Sequence, residues 1–94
     1  LDTYKQEQAL FAENAELLKA LAHPVRLCIV KGLIEKGCCN VSTMQECLDL
    51  PQSTISQHLG KLKAANIVTA ERQGLEVIYR VHNEKVKQII EILF

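Results

Sequence analysis

Apolar residues in this chain recur first with a helical period, then with a strand-like one, then with a helical one again. From about Thr3 to Ala22, Phe11, Ala15, Leu18 and Ala22 form one stripe, and Leu10, Leu17 and Leu21 a second beside it. Two adjacent stripes predict a helix buried on more than one side. The segment HPVRLCIVKGLIEKG predicts a second helix, with Pro24 at its first position and Gly37 at its end. Leu27, Val30 and Ile34, with Ile29 and Leu33, supply its buried side. A short third helix is expected from about Thr43 to Leu48, where Ser42 and Gln45 read as a capping box. The segment LPQSTISQHLGKLKAANIV predicts a fourth, with Ile55, Leu59 and Leu62 as its core stripe and Asn66 as its stop.

The period then changes. IVTAERQGLEVIYRV carries β-branched residues on both sides of Gln73-Gly74, and a glycine in a short loop between such runs predicts a hairpin. A last helix is expected after Asn83, with Val86, Ile89, Ile90 and Leu93 at i, i+3, i+4 and i+7. Ile92 and Phe94 widen that stripe beyond what a small core needs. The predicted fold is mainly α with a small β-hairpin, in the order α-α-α-α-β-β-α, a single domain over residues 1–94.

A short helix, the tight turn DLPQS and a longer helix with a polar face make a helix-turn-helix, and a hairpin directly after it makes the wing. Opposite the core stripe of the fourth helix lie Ser53, Gln57, Gly60 and Ala64, flanked by Thr54, Ser56 and Lys61. That face is small, polar and free of acids. Small residues let a helix approach base edges; Gln can bond adenine in the major groove, and Ser and Thr serve bases or phosphates. The candidate DNA contacts are Gln52, Ser53, Thr54, Ser56, Gln57 and Lys61, with Arg72 and Gln73 on the wing. Arg80 is a further candidate for backbone phosphate or an adjacent minor groove. The plainer alternative is a solvated helix followed by a structural hairpin. His58, at the edge of the core stripe, is expected to hydrogen-bond internally, and His23 marks a helix boundary.

Charge first argues against nucleic acid, because the formal net charge is zero. Its distribution reverses the argument. Residues 1–23 hold Asp2, Glu7, Glu13 and Glu16 against Lys5 and Lys19, whereas Leu50 to Ala70 holds Lys61 and Lys63 and no acid. A docking partner feels that local field, not the total. With 48% apolar residues the chain is expected to fold. No apolar run approaches the roughly 18 residues that cross a bilayer, and no secretory leader pattern is visible. A cytoplasmic location is expected, and with it four reduced cysteines rather than a disulfide framework. The chain begins at Leu1 rather than Met, as a segment of a longer product would. No glycine-rich phosphate loop and no recognisable acid–base or nucleophile–His arrangement points to an enzyme.

The segments LLKALAHPVRLCIVKGL, LPQSTISQHLGKLKAANIV and RQGLEVIYRV resemble the ArsR/SmtB family of small bacterial transcriptional repressors, over about Ala15 to Val81. The resemblance implies a homodimer built from the first and last helices, reading palindromic double-stranded DNA with two recognition helices about one turn apart. It also implies release from the operator by an inducer. It would account for the double stripe on residues 10–22 and the wide apolar face on residues 86–94. A neutral protein-interaction module on the same fold remains the reading from another class.

The family's sensing residues do not carry over. Aligned on ISQHL, the Cys-x-Cys pair of metalloid and soft-metal sensors falls on Asn40 and Ser42. The first zinc-ligand positions of the last helix fall on His82 and Lys85; an ammonium cannot ligate zinc, and no His follows. The pairing implied by persulfide sensors would use Cys28, but the last helix has no cysteine. The cysteines must therefore be weighed singly. Cys47 is expected in the core beside Met44 and Leu48. Cys28 lies beside Lys31 and Glu35 toward a helix edge, without a partner given by spacing. Cys38 and Cys39 follow Gly37 in an expected exposed turn near Lys36, where exposure and a cation favour the reactive thiolate. Cys38, Cys39 and Cys28 are the candidate inducer or redox thiols, and no cofactor is required, although soft metals and metalloids suit thiolates. The competing reading of Cys38 and Cys39 is two small residues filling a turn.

Overall fold

The structure, a computed structural model, describes residues 1–94. Six helices and three strands follow in chain order. They are α1 (Thr3–Gln6), α2 (Gln8–Leu21), α3 (Pro24–Lys36), β1 (Cys39–Asn40), α4 (Val41–Leu48), α5 (Gln52–Ala64), β2 (Thr69–Gln73), β3 (Glu76–Arg80) and α6 (Glu84–Leu93). The expected mainly helical winged arrangement is present, with three differences.

The first helix is broken. Glu7 leaves the helical region at φ −125°, ψ 31°, and separates α1 from α2. Neither proline nor glycine causes this. The four residues of α1 bury nothing, and a single turn cannot hold itself helical without packing. Tyr4 reaches Phe11 with ring centroids 5.8 Å apart, a side-chain contact between α1 and α2 across the break.

A strand also precedes α4. Cys39 pairs with Tyr79 and Asn40 with Ile78, which makes an antiparallel sheet of order β1-β3-β2. Two residues are too short to show a period, and their partners lie some forty positions downstream. The same residues move the α4 cap. Asn40, not Ser42, caps the helix, with Oδ1 accepting from the Thr43 N–H at 2.8 Å. Its Nδ2 donates to Glu76 Oε1 at 2.9 Å, so one side chain ties the α4 N-terminus to the wing.

The expected helix ends elsewhere are met. Pro24 opens α3 and Gly37, at φ 88°, closes it. Asn66 adopts φ 59° just past α5. There the Ile67 N–H bonds Leu62 O at 2.9 Å and the Asn66 N–H bonds Lys63 O at 3.0 Å, a Schellman ending. Ile67 and Leu62 are both fully buried, which locks the exit of α5 to the core. Gly74 supplies φ 66° at the first of two residues between Gln73 and Glu76, as a tight hairpin turn requires. Asn83 Oδ1 caps α6 through the Val86 N–H at 3.2 Å.

One core joins these elements. Leu17 and Leu21 of α2, Ile29, Val30 and Leu33 of α3 and Met44 of α4 meet Ile55, Leu59 and Leu62 of α5. Ile67, Val68, Val81, Val86 and Ile90 complete it. The expectation of burial around α2 is not met within the protomer: Leu10, Phe11 and Leu18 are exposed, as are Ile92, Leu93 and Phe94 of α6. No helix is long and apolar enough to cross a membrane.

Candidate nucleic-acid interface

Helix α5 follows α4 after the turn Asp49–Pro51, in which Asp49 takes a left-handed φ of 53°. Its two sides differ sharply. Ile55, Leu59 and Leu62 are at most 1% exposed, whereas Gln52, Ser53, Ser56, Gln57, Gly60, Lys61 and Ala64 face solvent. Thr54 is half-buried. No side chain caps the α5 N-terminus and no acid lies along the helix, so its first free N–H groups and Lys61 set a positive local field. The structure thus brings the six predicted α5 residues onto one element, with Thr54 the least accessible.

The helix is held in place by a polar latch that periodicity alone did not identify. Arg26 of α3 is 8% exposed. Its Nε donates to Ala20 O at 2.6 Å, and its Nη1 lies 3.2 Å from His58 Nδ1 on α5. A guanidinium only donates, so His58 Nδ1 accepts and the ring proton sits on Nε2. His23 Nδ1 accepts from the Val25 N–H at 3.1 Å, capping α3, and its ring stands 4.5 Å from that of His58. Desolvation, with smaller repulsions from His23, Arg26 and Lys61, pushes the His58 pKa below its ordinary value. His58 therefore hydrogen-bonds internally, as the sequence predicts, and the contact with Arg26 favours its neutral form. A sequence signal for Arg26 exists: it lies three and four residues before Ile29 and Val30, on the buried stripe of its helix.

On the wing, Arg72 and Gln73 are exposed at the end of β2 beside the Gly74 turn. Arg72 makes only a long bond, Nε to Gly74 O at 3.4 Å. Arg80 differs from its expectation: it is half-buried and paired with Glu71 across the hairpin, Nη1 to Oε2 at 3.2 Å. An occupied guanidinium is less available to phosphate, and Arg72 is left as the freer wing cation.

The thiols are rearranged relative to the sequence reading. Cys38 and Cys39 do not share an exposed turn. Cys39 lies in β1, half-buried, with Sγ 3.4 Å from Asn40 O, while Cys38 stays exposed before the strand. Cys47 is not in the core but exposed. Met44 is the one fully buried residue of α4, with Val41 and Leu48 packed beside it, and Cys47, three residues on, borders a cavity against α3. There Cys28, Cys39 and Cys47 line one apolar cavity; Cys38 does not. All four thiols are free. No group of three or more His, Cys, Asp or Glu side chains is arranged to hold a metal ion.

Comparison with known proteins agrees with this geometry. A helix-turn-helix domain family matches residues 21–71. The transcriptional repressor PagR of Bacillus anthracis is 44% identical over 90 residues, spanning 96% of this chain and 90% of that protein. Its crystal structure superposes with a TM-score of 0.86, covering 94% of this chain and all of that one. The HTH-type transcriptional repressor SmtB of Mycobacterium tuberculosis (strain ATCC 25618 / H37Rv) is 48% identical over 75 residues, 80% of this chain and 55% of that protein. Reduced HlyU from Vibrio cholerae N16961 superposes with a TM-score of 0.86 at 31% identity, covering 95% and 93%. The chain belongs to this helix-turn-helix family and, with these relatives, to the ArsR/SmtB family of winged helix-turn-helix, DNA-binding transcriptional repressors.

Proposed function

We propose that residues 1–94 form a single domain that represses transcription by binding a palindromic operator as a homodimer and leaves it when an inducer arrives. The observation that carries the reading is the acid-free, solvent-facing side of α5 directly after a helix-turn and directly before a wing. Ser53, Ser56 and Gln57 would read base edges, with Gln52 and Thr54 at the helix start. Lys61, Arg72 and Gln73 would hold the backbone. The relatives' names as repressors support the same direction.

Dimerisation is supported by the apolar surface left open on α2 and α6. Leu10, Phe11 and Leu18 on one and Ile92, Leu93 and Phe94 on the other belong to helices linked by Lys85 Nζ donating to Asn14 Oδ1 at 2.9 Å. A second copy presenting the same surface would cover it under two-fold symmetry. The regulator would act in the cytoplasm and needs no cofactor.

The test is fluorescence anisotropy on DNA from upstream of its own gene, across a salt series. Tight binding whose logarithm falls linearly with the logarithm of salt concentration is expected. Binding that ignores both sequence and salt would favour instead a protein-interaction module on the winged-helix surface, a reading that the zero net charge supports.

A further inference from the structure

The cavity between α3, β1 and α4 has a composition unlike the rest of the molecule. Its volume is about 110 Å³, somewhat below the ~150 Å³ of an engineered cavity that admits benzene. Three of the chain's four cysteines line it, with Met44 and Leu33 among its walls and Lys36 at its edge. Cys28, Cys47 and Lys36 are exposed, so the space communicates with solvent and a ring can enter from outside. It lies away from α2 and α6. Helix α4 borders it and also contributes Met44 to the core that seats α5.

Each feature selects for chemistry. Apolar walls with soft, polarisable sulfur favour a flat hydrophobic ligand over an ion. Thiols, as thiolates, are nucleophiles toward electron-poor carbon. One ammonium at the rim can meet the negative charge that develops on a carbonyl oxygen. We infer that this cavity is a capture site for a small apolar electrophile bearing an enone, of the quinone class, taken up by Cys28, Cys39 or Cys47. The thiol sulfur bonds to the β-carbon, the carbon–carbon π pair moves to the carbonyl oxygen, and the thiol proton ends on the quinone. Migration of the ring proton to the second oxygen yields a thioether of the hydroquinone, with no further oxidant. An adduct wedged against Met44 shifts α4 on α5 and misplaces the recognition helix. This last step rests on the repressor reading above; the capture does not.

The experiment treats the reduced full chain with one equivalent of methyl-1,4-benzoquinone and maps adducts by peptide mass spectrometry, with iodoacetamide as a small polar control. Quinone is expected on Cys28, Cys39 or Cys47 in preference to Cys38, while iodoacetamide labels exposed Cys38 freely. A Cβ added at Gly32, which lines the cavity, meets nothing within 4 Å. Gly32→Leu should therefore fill the space while leaving all four thiols in the chain, and slow quinone capture about tenfold, equivalent to about 1.4 kcal/mol in the barrier. Quinone on Cys38 in equal measure, or capture indifferent to Gly32→Leu, would overturn the site. Anisotropy on operator DNA reads the second half. Affinity should drop about tenfold on labelling, in wild type and in Cys38→Ser alike, and labelled protein that keeps its affinity would overturn the coupling. Unlabelled protein that binds no DNA would instead defeat the repressor reading, with adduct mapping still deciding the cavity.

Discussion

Helices α5 and α2 are of nearly equal length and play opposite parts. In α5 the apolar stripe is narrow and wholly used: Ile55, Leu59 and Leu62 vanish into the core and the remaining surface is polar. In α2 the apolar surface is wide and mostly unused: Leu17 and Leu21 are buried, whereas Leu10 is 47%, Phe11 46% and Leu18 54% exposed. A stripe that matches its core describes a helix finished within one chain. A stripe that exceeds it describes a helix finished by another molecule. The charge pattern runs parallel. Residues 1–23 hold Asp2, Glu7, Glu13 and Glu16 against Lys5 and Lys19, whereas α5 carries no acid, so α5 is the helix suited to a polyanion.

Substitutions can break this contrast in order of size. Leu59→Ala strikes the finished side of α5. Truncating a fully buried leucine costs about 2–5 kcal/mol, a large share of the stability of a small domain. Urea titration should show the midpoint fall, and an unchanged midpoint would mean that the α5 core is not where the structure puts it. Leu18→Glu strikes the unfinished side of α2. Being half exposed, it should leave the monomer folded while sedimentation shows dimer lost. A monomer forfeits about half of the roughly 4–10 kcal/mol that separates specific from non-specific DNA binding. A variant that remains dimeric would move the interface elsewhere.

Smaller changes test the polar face itself. Gln57→Ala should relax base preference at one operator position by roughly 1–3 kcal/mol; uniform loss on all sequences would deny it a reading role. Lys61→Ala should weaken binding on all DNA and lower the salt slope by about one phosphate contact, and an unchanged slope would remove it from the backbone contacts. The least effect should come from pH. His58 accepts from Arg26 only when neutral, and its folded-state pKa lies below the ordinary 6.5. The unfolded chain therefore binds its proton first, so stability is intact above pH 6.5 and declines as pH falls from there through the lowered folded value. His58→Gln should flatten that part of the pH–stability profile; a profile identical to wild type would assign the dependence to another group.

The two candidate sites were not equally legible. The α5 face follows from one helix of thirteen residues, and helical period carries a face from sequence to space without help from the rest of the fold. The wing followed nearly as well, because Gly74 and the runs beside it are local signals. The pairing of Arg80 with Glu71 is not legible, because that partner is chosen by strand register. The cysteines were misread for a stronger form of the same reason. Cys38 and Cys39 are neighbours in sequence and part company in space, while Cys28, Cys39 and Cys47 come from three elements and share a cavity.

By itself the sequence determined the helices with complete stripes, their proline, glycine and asparagine boundaries, the hairpin and the acid-free polar face of α5. All of these rest on contacts within a few residues, where backbone sterics and periodicity decide. The tertiary structure alone decided the break at Glu7, the two-residue strand β1, the Asn40 cap that also holds the wing, the Arg26–His58 latch and the thiol-lined cavity. Each depends on a partner far along the chain, or on a segment too short to hold its shape unpacked, and a local pattern contains neither.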